Sequence, residues 1–161
     1  MTENEPSTDT SGIVTASVPD FAPLTDVPEL APFWDGVSRG ELVFPRCRAC
    51  RRWHWYPGPG CPCGHDDEFE WSGVAGRGVI YSFTTVHRAF LPSGSTAPYT
   101  VALVEFEDAP GVRLVTDLIG DGADTPRIGD RVVLSPTVFD THTLPTFALE
   151  RDRPERERHS R

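Results

Sequence analysis

A mainly β chain is predicted: a short N-terminal helix, a zinc ribbon and a C-terminal five-stranded Greek-key barrel of the OB type. Three observations predict it. All four cysteines fall in RCRACRRWHWYPGPGCPCGH, Arg46 to His65; helical spacing is confined to one short stretch ahead of them; and from Gly76 onward strand-like runs are separated by glycine and proline.

Residues 1–20 contain no aromatic side chain and no hydrophobic period, and read as a disordered acidic tail. Residues 21–40 form an N-terminal segment and helix. Phe33, Trp34 and Val37 recur at helical spacing, Pro32 suits a first turn, and Gly40 is a natural stop, which predicts a helix over Pro32–Arg39. Its aromatic side chains either cap the core or face a partner.

Residues 41–72 read as the ribbon, entered by the strand ELVFP and left by FEWSGV. Residues 73–150 read as the barrel. GVIYSFTTVHRAF alternates with Val79, Tyr81 and Phe83 on one face; YTVALVEF is nearly continuous; VRLVTDLI alternates after the turn DAPG. RVVLSPTVF and LPTFAL supply the last two strands, and residues 151–161 are a charged tail.

The formal charge is −9, and every basic side chain is arginine, so Schiff-base and P-loop lysine chemistry are excluded. Residues 31–150 hold fifteen acids against ten arginines, a body that repels a phosphodiester backbone. No run approaches the roughly 18 apolar residues of a membrane span, and the polar, acidic start is unlike a signal peptide. A cytoplasmic setting is expected, where thiols stay reduced and clustered cysteines suit metal better than disulfides.

Cys47-x-x-Cys50 is the common half of a tetrahedral sulfur site, whereas Cys61-Pro-Cys63 is one residue tighter. The residues leave three readings open: structural zinc first, then a degenerate ribbon without metal, then a redox pair. His54 or His65 offers a substitute ligand for a poorly placed sulfur. Trp53, Trp55 and Tyr56 between the pairs either pack on the barrel or offer a stacking surface. Arg46, Arg48, Arg51 and Arg52 concentrate positive charge in an acidic protein, which suits phosphate or carboxylate. The segment is too short and polar to bury much surface alone, so an ion is expected to replace a core.

His87 and His142 sit in no recognisable catalytic constellation, and Ser82, Ser93 and Ser95 lack a nucleophile-elbow context. No active site assembles from the sequence.

The succession PFWDGVSRGELVFPRCRAC, CPCG, EWSGVAGRGVIYSFTTVHRAF, PYTVALVEF, GVRLVTDLIG and IGDRVVL resembles the thiolase-associated family of rubredoxin-like zinc-ribbon plus OB-fold proteins. The resemblance runs from Pro32 to Phe147. It implies a noncatalytic accessory subunit of a thiolase-like, lipid-transfer-protein-type aldolase or thiolase acting on acyl-CoA, with steroid side-chain degradation among the settings. It implies zinc on Cys47, Cys50, Cys61 and Cys63, a hetero-oligomer with acyl-CoA at the shared interface, and no catalytic residue in this chain. The short second knuckle departs from the family's usual two-residue spacing. The alternative from another class is a single-stranded nucleic-acid binder, since OB folds often serve that role, and it requires a basic groove that the charge disfavours. A self-sufficient hydrolase or lyase would need a triad or an open metal site.

Overall fold

The computed structural model describes residues 14–15, 27–58, 60–64, 69–88 and 97–150. The chain runs β1 (Val14–Thr15), α1 (Ala31–Ser38), β2 (Leu42–Cys47), β3 (Phe69–Val74), β4 (Arg77–Val86), β5 (Tyr99–Glu105), β6 (Arg113–Ile119), β7 (Arg131–Leu134), β8 (Thr137–Val138), β9 (Thr143–Leu144) and β10 (Phe147–Leu149). Helix α1 follows a 3-10 turn at Pro28–Leu30 and ends where the sequence places its stop. Gly40, at φ 76°, donates to the Val37 carbonyl while the Glu41 amide reaches back to that of Gly36. That pair of bonds is a Schellman closure, which needs a left-handed residue.

Strands β2 and β3 pair antiparallel from Leu42 opposite Val74 to Cys47 opposite Phe69. The barrel closes in the order β10-β6-β5-β4-β7, with β10 parallel to β6 and antiparallel to β7. It is a five-stranded OB-type barrel. Among the described residues, no helix is long and apolar enough to cross a membrane.

The structure revises several local expectations. A bulge between Ile80 and Ser82 shifts the register of β4 against β5, so Val79 lies opposite Glu105 while Phe83 lies opposite the buried Ala102. Val79 and Phe83 therefore do not share a face, because one inserted residue reverses the two-residue period. RVVLSPTVF divides into β7 and β8, and LPTFAL into β9 and β10. Pro136 and Pro145 lie at the breaks, and β8 and β9 leave the barrel to pair with each other. Val14–Thr15, inside the segment read as a disordered tail, pairs in parallel with Thr137–Val138. The rest of residues 1–20, the tail 151–161, His65, Ser93 and Ser95 lie outside the described residues.

One core serves helix, ribbon and barrel. Phe33 of α1 lies 6.0 Å from Phe44 of β2, Phe44 lies 5.4 Å from Phe106 after β5, and Phe106 lies 6.1 Å from Phe147 of β10. Leu42, Ile80, Val104, Val112 and Val132 are buried around them. The ribbon is thus not coreless: its root shares the barrel's core, and only its tip must be held by other means.

Gly78 marks the tightest approach inside the barrel. A Cβ there would stand 2.4 Å from Val104 Cγ1 and 2.8 Å from the Glu105 carbonyl oxygen, whereas one at Gly58 meets nothing within 4 Å. Gly78→Ala should therefore lower stability by about 2–3 kcal/mol, read from the urea midpoint at constant m-value, and Gly58→Ala should leave it within about 0.5 kcal/mol.

Candidate metal centre and interaction cleft

Strand β2 delivers Cys47 to the ribbon tip, where the Arg51 amide donates to the Cys47 carbonyl and the Cys47 amide donates to that of Arg52. Arg51 takes a φ of 61°, which turns the chain back and brings Cys50 beside Cys47. On the second pair, the Gly64 amide bonds the Cys61 carbonyl, with Gly64 at φ 85°. This turn accommodates the one-residue spacing. Cys47 Sγ lies 3.7 Å from Cys63 Sγ, Cys50 Sγ lies 3.5 Å from Cys61 Sγ, and all four sulfurs lie within 4.8 Å of one another.

Four sulfurs at Zn–S distances of about 2.3 Å stand roughly 3.8 Å apart at the edges of a tetrahedron. These two pairs meet that edge, and both run between the knuckles, so the tight spacing within one pair does not prevent convergence. The cluster is capable of metal ligation. Cys47 and Cys61 are buried, Cys50 and Cys63 exposed, and all four are free of disulfides. The backbone amide of Arg52 is the largest influence lowering the Cys50 thiol to about 7, with neighbouring sulfurs adding to it against desolvation. A depressed thiol supplies the thiolate that metals bind.

His54 is not part of the cluster. Its ring packs edge-on to Phe69 at 4.9 Å, its amide donates to the Pro45 carbonyl, and its buried Nε2 has no hydrogen-bond partner. The four arginines do not form an open cationic patch. Arg51 and Arg48 reach the same Glu70 carboxylate at 2.5 and 3.8 Å, and Arg46 donates to the Arg51 carbonyl with its guanidinium 4.8 Å from the Trp53 ring centre. Arg52 remains exposed. His87 is exposed at the end of β4, and His142 stacks on Phe139 beside Thr141.

The aromatic residues between the cysteine pairs divide their roles. Trp55 packs 4.7 Å from Phe33 and 5.0 Å from Phe44, whereas Tyr56 stacks on it with its outer face in solvent. Phe33 is buried, and Trp34 lines a cleft of about 240 Å³ with Tyr56, Val115, Asp117 and Leu144. Sequence reading missed this cleft, because its walls come from five separated segments. Asp117, at an outward position of β6, was not among the residues the sequence singled out; desolvation raises its carboxyl above the usual range.

The family model described as "ChsH2, rubredoxin-like zinc ribbon domain" matches residues 34–70, and "ChsH2, C-terminal OB-fold domain" matches 71–135. A solved "Ltp2-ChsH2(DUF35) aldolase" chain superposes with a TM-score of 0.68 at 35% identity, over 76% of this chain and 94% of that one. Among curated relatives, the "Probable enoyl-CoA hydratase alpha subunit" of Thermomonospora curvata is 41% identical over 71% of this chain. The "3-oxo-4,17-pregnadiene-20-carboxyl-CoA hydratase alpha subunit" of Mycobacterium tuberculosis is 32% identical over 77% of it. The chain spans 36% and 38% of the length of these two proteins.

Burial first, and the Arg52 charge second, depress the His54 pKa. The unfolded chain then binds the extra proton, so the stability that neutral His54 preserves above about pH 6.5 is lost as the pH falls. His54→Phe should keep the wild-type zinc content and show a smaller drop in melting temperature between about pH 7.5 and pH 5.5. An equal drop in both proteins would contradict this assignment.

Proposed function

This chain belongs to the ChsH2/DUF35 family of zinc-ribbon and OB-fold proteins, and from that premise we propose that it is a noncatalytic accessory subunit of a thiolase-fold enzyme of the lipid-transfer-protein type. The partner carries out aldol or thiolytic cleavage of an acyl-CoA with a bulky, steroid-like acyl group. This chain stabilises the partner and shapes its substrate channel. The observation that carries the reading is the likeness to the Ltp2-ChsH2(DUF35) aldolase chain over nearly all of that chain's length. The hydratase relative named for a pregnadiene-carboxyl-CoA supports a steroid acyl group.

The chemistry of the donor set supports zinc on Cys47, Cys50, Cys61 and Cys63. Those four sulfurs would hold the ion, which would supply a rigid cross-link between the two cysteine pairs. Arg52, exposed and without an acidic partner among the described ion pairs, is the arginine best placed to meet a CoA phosphate or an acidic partner surface. Arg48 and Arg51 would first have to release Glu70.

The purified chain should carry about one zinc by elemental analysis, and Cys61→Ser or Cys63→Ser should lose affinity by no less than the roughly ten- to hundredfold known for outer-shell changes. Coexpressed with a lipid-transfer-protein-type thiolase homologue from the same genome, it should co-elute in one complex, with acyl-CoA cleavage only when both are present. Turnover by the chain alone, or shifted single-stranded DNA at low salt with no complex, would reject the reading. Charge reversal at Arg52 should weaken the complex or its acyl-CoA binding in a salt-sensitive way. The same change at Arg51, already paired, should do less.

A further inference from the structure

The cleft beside α1 is lined mainly by apolar side chains. Tyr56 is 62% exposed and Val115 55% exposed, so apolar groups line its mouth as well as its floor. The exposure continues outward along the barrel. Val115 lies opposite Leu103 on β5, and two residues before it Arg113 covers the Tyr81 ring, its guanidinium carbon 3.5 Å from the ring centre. Contiguous apolar surface of this kind marks a site of association.

Asp117 gives the surface a chemical sense. It lies two residues beyond Val115 on the same face of β6, opposite Val101, and lines the cleft. Among the described residues its carboxylate is in no ion pair or hydrogen bond. The nearest cation along that face of the strand, Arg113, is engaged by Glu105 and Tyr81. An unpaired carboxylate at an apolar cleft repels the phosphates of CoA and attracts a guanidinium or ammonium. Its desolvation costs free energy that such a cation would return. The acidic balance of the whole chain, −9, points the same way.

We propose that this cleft is the socket for a segment of the partner enzyme carrying an apolar side chain next to an arginine or lysine, the apolar group seating between Trp34, Tyr56 and Leu144 and the cation pairing with Asp117. The assignment rests on the accessory-subunit reading above and names the face that does the docking. An aromatic-lined centre with one charged pair is the usual composition of an interface hot spot.

The test uses the full chain and a thiolase homologue with which the wild-type chain forms a complex. Asp117→Arg and Val115→Glu should each weaken the complex at least about tenfold, and the isosteric Asp117→Asn by a smaller, salt-dependent factor. Ile128→Glu, at a position 69% exposed and outside the cleft, should leave it unchanged. All positions altered are exposed, so zinc content should match the wild type and no variant should melt appreciably below it, with Asp117→Asn melting at or slightly above it. A photo-crosslinker at Val115 should capture a partner peptide containing an arginine or lysine, and replacing that cation with aspartate should restore binding to Asp117→Arg. Wild-type affinity in all three cleft variants would overturn the socket and leave the accessory reading intact, whereas no complex with the wild type would remove both. Binding of dodecanoyl-CoA to the chain alone, strengthened by Asp117→Asn, would overturn it in favour of an acyl occupant. Self-association abolished by Val115→Glu would do so in favour of a second copy.

Discussion

Phe44 is fully buried at the junction of three pieces of the chain, touching Phe33 of the helix, Trp55 of the inter-cysteine loop and Phe106 of the barrel. Burying one such ring contributes about 2–3 kcal/mol by area alone, and edge-on and tilted aromatic contacts add to it. The larger consequence is geometric. A two-stranded ribbon is marginal alone, yet β2 carries Leu42 and Phe44 into a core that already exists. The ribbon's root thereby takes its orientation from the barrel, and α1 is held against both through Phe33 and Val37.

The far end of the ribbon depends on different physics. Beyond Cys47 the chain exposes Arg48, Cys50, Arg51 and Arg52, and little apolar surface is available to fix them. Glu70, on the opposite strand, gathers Arg48 and Arg51, but partly exposed ion pairs are worth little individually. An ion held by the four converging sulfurs would supply what packing cannot. Aromatic burial thus fixes the chain near the barrel, and the tip is left to ligation by its cysteines.

Local features proved legible in the sequence. Gly40 ends α1 because a left-handed residue is written there, and the alternation of VRLVTDLI survives as the inward and outward faces of β6. The cysteine spacings identified the cluster, because short-range chelation is a local property. What the sequence concealed was non-local. The bulge at Tyr81 is visible only against β5, the neutralisation of the arginines requires Glu70 from another strand, and the cleft joins residues from Leu30 to Thr146. Val14–Thr15 gained a pairing partner that no local pattern announces. Asp117 was concealed by its ordinariness, since an outward acid in an alternating strand gives no local sign that separated segments form a cleft around it.

The cysteine cluster and the cleft are connected by the chain itself. Trp55 and Tyr56 lie between Cys50 and Cys61, whose sulfurs are 3.5 Å apart, so an ion held by the cluster would make the segment that forms one wall of the cleft a closed loop. Closing a loop removes conformational entropy before any partner arrives. Trp55 anchors its middle in the shared core, and Tyr56, stacked on that anchor, is presented outward at a fixed position. An ion joining the four cysteines would preorder this aromatic wall and spare the proposed complex the ordering entropy that a loose loop would lose on docking. In the accessory role proposed above, the sulfur cluster would act on association through Tyr56.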